Sequence, residues 1–131
     1  MDDAAARVAA LRSEDVAIAH LGIEVLEVSA GSVALAMIVA PSMTNGHGIV
    51  HGGYLFLLAD TALAYCCASL DRLSVTRTAD IAFLAPAPLG ARVIASASVR
   101  ALSGRTTICD VRVESEGALI AEFRGHGVLA R

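Results

Sequence analysis

The sequence has no tryptophan, only 4 % aromatic residues and no run of basic side chains, and its formal net charge is −3. Duplex nucleic-acid binders need a basic stripe against the phosphates, and single-strand binders need aromatic platforms, so neither class is supported. Cysteine is scarce: there are three, and Cys66 and Cys67 are adjacent. An odd, clustered set does not make a disulfide framework, and the plain expectation is buried, reduced thiols in a cytosolic protein. The chain also lacks a long uninterrupted apolar run. A spanning helix needs roughly 20 predominantly apolar residues, whereas the longest stretch, residues 54–70, falls short and holds Asp60 in its middle. The opening Met1-Asp2-Asp3 is acidic where a secretory signal is basic. The expectation is therefore a cytoplasmic protein that spans no membrane. A Gly-x-Ser-x-Gly elbow is missing too, so a serine-hydrolase triad has no support.

What is present is apolar. Of the 131 residues 56 % are hydrophobic and only 18 % charged, and the length suits a single domain, residues 1–131. With a membrane disfavoured, that surplus asks for subunit contacts, and a homo-oligomer is expected.

Residues 1–20 are expected to be an N-terminal helical segment, with a short helix predicted over 4–20 and Val8, Leu11 and Ile18 as a loose apolar stripe. From Ile23 the pattern alternates, turns at Ser29-Ala30-Gly31-Ser32, and resumes through Val33, Leu35, Met37 and Val39, which predicts a hairpin. Residues 41–53 carry Pro41, Asn45 and four glycines, a loop with unusual backbone angles. A helix over 52–69 follows, apolar all the way round and so expected to be buried on every side. Strands are predicted over 73–84, 91–101, 105–115 and 118–129, with turns at Ser103-Gly104 and Glu116-Gly117. Short turns imply an antiparallel sheet, and a helix apolar all round must be wrapped by it. The expected fold is α+β, a hotdog: one curved sheet around one central helix.

The chemistry concentrates in Asn45-Gly46-His47-Gly48-Ile49-Val50-His51-Gly52-Gly53 and in Asp60. Glycines at a helix start leave N–H groups open, and the positive end of the helix dipole favours an oxygen gaining negative charge. Such a corner suits an oxyanion hole for an ester or thioester, and Asn45 can add an amide donor or position a water. Asp60 is the only charged residue between Gly52 and Leu70. A lone carboxylate in an apolar helix costs several kcal/mol unless paired. It is either a structural group bonded to a neighbour or a general base or nucleophile toward a carbonyl. Eight residues of helix separate Gly52 from Asp60 by about 12 Å, beyond the reach of an Asp side chain. If both serve one carbonyl, Asp60 comes from another subunit, and antiparallel helices in a dimer would make two such sites. His47 and His51 are four apart, but the glycines beside His47 argue against a helical metal pair. His51 is read as orienting the loop through a hydrogen bond, His20 and His126 as structural or exposed. Arg105, in a hairpin turn, is a candidate for a phosphate, although a lone turn arginine is usually just solvated.

These motifs resemble the phenylacetyl-CoA thioesterase (PaaI-type) family of hotdog proteins. The resemblance rests on Asn45-Gly46-His47-Gly48, His51-Gly52-Gly53, Phe56, Leu58-Ala59-Asp60, Phe83-Leu84-Ala85-Pro86, Gly104-Arg105-Thr106 and Phe123-Arg124-Gly125, from about Ile23 to the C-terminus. It implies hydrolysis of an acyl-CoA thioester, by default of an aromatic acid such as phenylacetyl or a hydroxylated relative, with coenzyme A part of the substrate and no other cofactor. It further implies a tetramer of two hotdog dimers, with catalytic Asp60 acting across the dimer interface and Asn45, His51 and Gly52 holding the carbonyl. Thr76 stands where a Ser or Thr assists the water, and Gly53 and Arg105 would face the coenzyme. Ala68-Ser69 stands where the family often has Asn-Ser, and Leu63 where Phe is common. Both differences bear on the acyl pocket more than on the reaction. Two other classes compete: an acyl-CoA-binding hotdog protein without turnover, and a hotdog enoyl-thioester hydratase using His51 and Asp60.

Overall fold

The computed structural model describes residues 3–130. The predicted helix over 4–20 is in fact two, α1 (Ala4–Ser13) and α2 (Val16–Ala19). The break has a tertiary cause. Asp15 leaves the helical region, with φ −90° and ψ 84°, and its Oδ2 accepts a hydrogen bond from the Tyr65 hydroxyl at 3.0 Å. Burial and this contact hold the phenol well above the usual tyrosine range. Arg7 donates to the carbonyls of Ala68 (3.2 Å) and Ser69 (2.5 Å), orphan acceptors at the end of the central helix. The N-terminal segment is thereby strapped along that helix.

The hairpin β1 (Glu24–Ser29) and β2 (Ser32–Ile38) is followed by a 3-10 turn (Pro41–Met43), the central helix α3 (Gly52–Ser69), and strands β3 (Ser74–Phe83), β4 (Arg92–Ser103), β5 (Thr106–Ser115) and β6 (Ala118–Leu129). The turn expected at Ser103-Gly104 sits one residue later, because β4 extends through Ser103. All pairings are antiparallel, in the order β1-β2-β4-β5-β6-β3. This is the α+β hotdog architecture: six strands curl around α3, and β1 and β3 are the free edges. The alternation of β5 holds, with Thr107, Cys109, Val111 and Val113 buried against the helix side.

By length and mean hydropathy (1.2) α3 alone would pass as a membrane span, but 56 % of it is buried inside the chain, where Leu55, Leu58, Ala62, Leu63 and Cys66 fill the core. It is not buried on every side, as its sequence suggested. Gly53 and Phe56 are exposed, and Leu57, Asp60 and Ala64 are only half-buried. A helix apolar all round with one open stripe has a face left for another surface. The edge strand β3 is open as well, with Val75 67 % exposed. Cys66, Cys67 and Cys109 are free and buried. Contact with the Cys66 thiol and burial push the Cys109 thiol up to about 12, so it carries no thiolate for nucleophilic work at neutral pH.

Close approach of α3 to the sheet depends on a glycine in β6. A Cβ at Gly125 would run into Leu63 Cδ1 and lie 3.1 Å from the Phe123 ring. Leu63 is enclosed and cannot retreat. We expect Gly125→Ala to cost about 1–3 kcal/mol by overpacking, read as a melting temperature several degrees lower. An unchanged melting temperature would mean that the helix slides off the sheet at no cost.

Candidate active site

Between β2 and α3 the chain folds back on itself to present two groups. The Asn45 side chain shapes the turn: its Oδ1 accepts from the His47 N–H (2.9 Å) and the Ile49 N–H (3.4 Å), which leaves the side-chain amide as a donor. Of the four glycines expected to take unusual angles here, only Gly48 has positive φ, 74°. Thr44 and Val50 pair as a short bridge, and the His51 N–H donates to the Met43 carbonyl at 2.8 Å. His51 therefore orients the loop through its main chain, while its imidazole stands exposed at the N-cap of α3.

Helix α3 starts without a side-chain cap and without an acidic residue in its first turn. Among the described residues, the N–H groups of Gly52 and Gly53 donate to no main-chain carbonyl. They are open donors at the positive end of an 18-residue helix. Asn45 and Gly52 line one cavity of about 550 Å³, walled by Ile49, Leu55, Phe83, Leu84 and Pro86. Phe83 is the residue that sequence reasoning left unassigned. A Cβ at position 52 would meet its ring at 2.8 Å, so the glycine lets an aromatic wall close against the donor corner. The sequence signal was two glycines opening a helix, where propensity disfavours them.

Asp60 lies two turns further along α3. It is half-buried rather than enclosed, and its Oδ1 accepts a hydrogen bond from the Thr76 hydroxyl at 3.0 Å. A β-bulge between Thr76 and Thr78 places them: Thr76 pairs with buried Gly127, while Thr78 pairs with His126 on the outer side, where their side chains meet at 3.1 Å. Asp60 and Thr76 therefore come together, as do Asn45 and Gly52, but the two pairs lie apart. The cavity at Gly52 has no carboxylate in its wall. Gly53 is exposed in the first turn of α3. Arg105, in the β4–β5 turn, donates from Nε to the Leu129 carbonyl at 3.0 Å. The strand register puts it two residues beyond the row Thr107–Gly127–Thr76. His47 is exposed, and His47 and His51 are not on a common helix turn.

An open amide corner on one stretch of helix and a hydroxyl-held carboxylate on another, within a sheet curled round that helix, are groups that suit chemistry at a carbonyl carbon. A model of the thioesterase superfamily matches residues 47–121, which include Gly52, Asp60 and Thr76. The acyl-coenzyme A thioesterase PaaI of Escherichia coli K12 is 37 % identical over 88 % of this chain and 84 % of its own length. The structure of the E. coli PaaI protein from the phenylacetic acid degradation operon superposes with a TM-score of 0.96 at 33 % identity, over 98 % of this chain and 94 % of that one. A mutant form of the phenylacetic acid degradation protein PaaI from Thermus thermophilus does so with a TM-score of 0.84 at 35 % identity, over 87 % and 98 %. The chain belongs to the hotdog-fold thioesterase superfamily and, within it, to the PaaI-type family; it is a thioester hydrolase.

Proposed function

We propose that this thioesterase hydrolyses an acyl-CoA whose acyl group is aromatic, phenylacetyl-CoA or a hydroxylated relative, in sites shared between two subunits. The observation that carries the reading is the separation just described. Gly52 and Asn45 share one cavity, Asp60 and Thr76 are bonded to each other elsewhere, and a helix keeps the two pairs about 12 Å apart. Two copies with α3 antiparallel across its open stripe bring Gly52 of one subunit to the partner subunit's Asp60. The free edge of β3 is then available for strand pairing on the same side.

In such a site the thioester carbonyl oxygen takes hydrogen bonds from the Gly52 N–H and the Asn45 amide, with His51 at the mouth. Asp60, oriented by Thr76, either takes a proton from the attacking water or adds to the carbonyl carbon itself. Both routes place negative charge on the oxygen held at Gly52. The tetrahedral intermediate then expels CoA as its thiolate. In the direct route this leaves an acyl anhydride on Asp60, whose acyl–oxygen bond water then cleaves to restore the carboxylate. In both routes one water supplies the oxygen of the free acid and the proton of the thiol. Gly53 and Arg105 are the groups offered to the coenzyme. No cofactor is required, because the coenzyme is part of the substrate.

Two such dimers form the tetramer. The support is the outer face of the sheet, where Arg124 makes a two-pronged bond to Asp110 (2.6 and 2.8 Å) and Arg100 lies 3.3 Å from it, a charge pattern that a second sheet can complement. Buried free thiols fit a reducing, cytoplasmic setting.

The test is thiol release from a panel of phenylacetyl-, hydroxyphenylacetyl-, short- and medium-chain acyl-CoAs. We expect hydrolysis, fastest with the aromatic members. Tight acyl-CoA binding without release would turn the chain into a carrier. Hydration of crotonyl-CoA without thiol release would make it a hydratase.

A further inference from the structure

The open stripe of α3 runs Gly53, Phe56, Asp60 and Ala64, spaced three and four residues apart and so stacked on one face. Phe56 is conspicuous in it. It is 37 % exposed, although it belongs to the core helix, and its ring is held edge-on against buried Phe123, centroids 5.3 Å apart at 78°. An exposed aromatic fixed by a buried one is a rigid surface, not a loose side chain.

Its position follows from the shared site, and the inference rests on that reading. If Gly52 of one helix faces the partner subunit's Asp60 on an antiparallel helix, the two-fold axis passes the residue midway between them, which is 56. The geometry points to a pair of Phe56 rings, one from each subunit and each backed by its own Phe123, meeting on the axis as the aromatic wall that both acyl pockets share. Each ring stands one helical turn, about 6 Å, from its own Asp60 and from its own Gly52. The coenzyme is large and has to leave toward solvent, which the cavity beside Gly52 reaches past exposed Phe83, Leu84 and Pro86. The opposite direction, toward the axis, is closed by the second subunit. The acyl group occupies that closed side, against the Phe56 pair, and its length is limited by the rings. Phe56 is thus a specificity-determining residue: a flat aryl group stacks on the wall, and a long alkyl chain meets it end-on.

Two measurements test this. The first concerns the axis. Antiparallel helices about 8–10 Å apart bring facing Cα atoms within disulfide range, so Phe56→Cys treated with copper phenanthroline should give a disulfide-linked dimer on a non-reducing gel. The wild type, whose three cysteines are buried, should give none. Failure to cross-link in a variant that light scattering shows to have the same oligomeric state as the wild type would overturn the axial placement. The second concerns the wall. Phe56→Ala should raise the ratio of kcat/KM for decanoyl-CoA to that for phenylacetyl-CoA at least tenfold, and Phe56→Leu should raise it less. If the alanine chain does not fold, the leucine variant carries the test. A ratio unchanged in either folded variant would reduce Phe56 to packing. Failure of the underlying reading looks different: wild type would release no thiol from any substrate, or Asp60→Asn would leave turnover intact.

Discussion

Asp60→Asn should lower kcat for thiol release by about 10²- to 10⁴-fold, the span expected when a positioned acid–base group is removed, with KM nearly unchanged. The substitution is close to isosteric. An asparagine oxygen can still accept the Thr76 hydroxyl bond that Asp60 accepts at 3.0 Å, so the bulge in β3 and the packing of α3 should persist. Asp60 is half-buried, its neighbours on the stripe are Phe56 and Ala64, and among the described residues it makes no ion pair, so removing the charge strands no countercharge there. The loss should therefore sit in the chemical step, and the melting temperature should not move. Loss in kcat rather than KM marks an interaction made in the transition state. Turnover within about twofold of wild type would place both proposed routes, water activation and direct attack, outside the reach of this carboxylate. A large fall in both kcat and melting temperature would make the Asp60–Thr76 bond a structural one.

Much of this arrangement is legible in the residues, because the strongest constraints are local. An 18-residue apolar helix opened by two glycines must be wrapped, and the alternation through Thr107, Cys109, Val111 and Val113 leaves one way to wrap it. Asp60 stands out because nothing else between Gly52 and Leu70 carries charge. What escapes the sequence is long-range. The break at Asp15 is made by a hydroxyl 50 residues away on Tyr65, against a local pattern that continues helical. The bulge in β3 inserts one residue and so turns Thr76 inward and Thr78 outward, and the alternation of 73–84 does not announce it. An apolar side chain facing a core and one facing a second subunit read alike in sequence, which is why α3 looked enclosed while Gly53 and Phe56 stand open. Only the fold reveals that the His51 N–H pins the loop to the Met43 carbonyl, a main-chain bond that a sequence does not announce.

Two inactive variants mixed together should regain activity, and this is the sharpest consequence of a site split between chains. Gly52→Pro removes the amide proposed to hold the carbonyl oxygen and suits the backbone on both sides. Position 52 is the first of α3, where the proline ring is tolerated, and His51 before it is already extended at φ −68° and ψ 134°, as a residue preceding proline must be. The exposed Phe83 ring has to swing aside, since even a Cβ there approaches it to 2.8 Å. Loss of one such donor should lower kcat by about 10²- to 10³-fold. In a Gly52→Pro homodimer neither site has the amide, and in an Asp60→Asn homodimer neither has the carboxylate. A mixed dimer gathers both lesions into one site and leaves the other whole. Random exchange makes about half the dimers mixed, each with one sound site of two, so co-refolded variants should recover roughly a quarter of wild-type turnover from near zero. Sites contained within one chain would each keep a single lesion whatever their partner. A mixture no more active than its components, in a preparation shown by mass spectrometry to contain mixed dimers, would therefore return Asp60 and Gly52 to separate duties and dissolve the shared site.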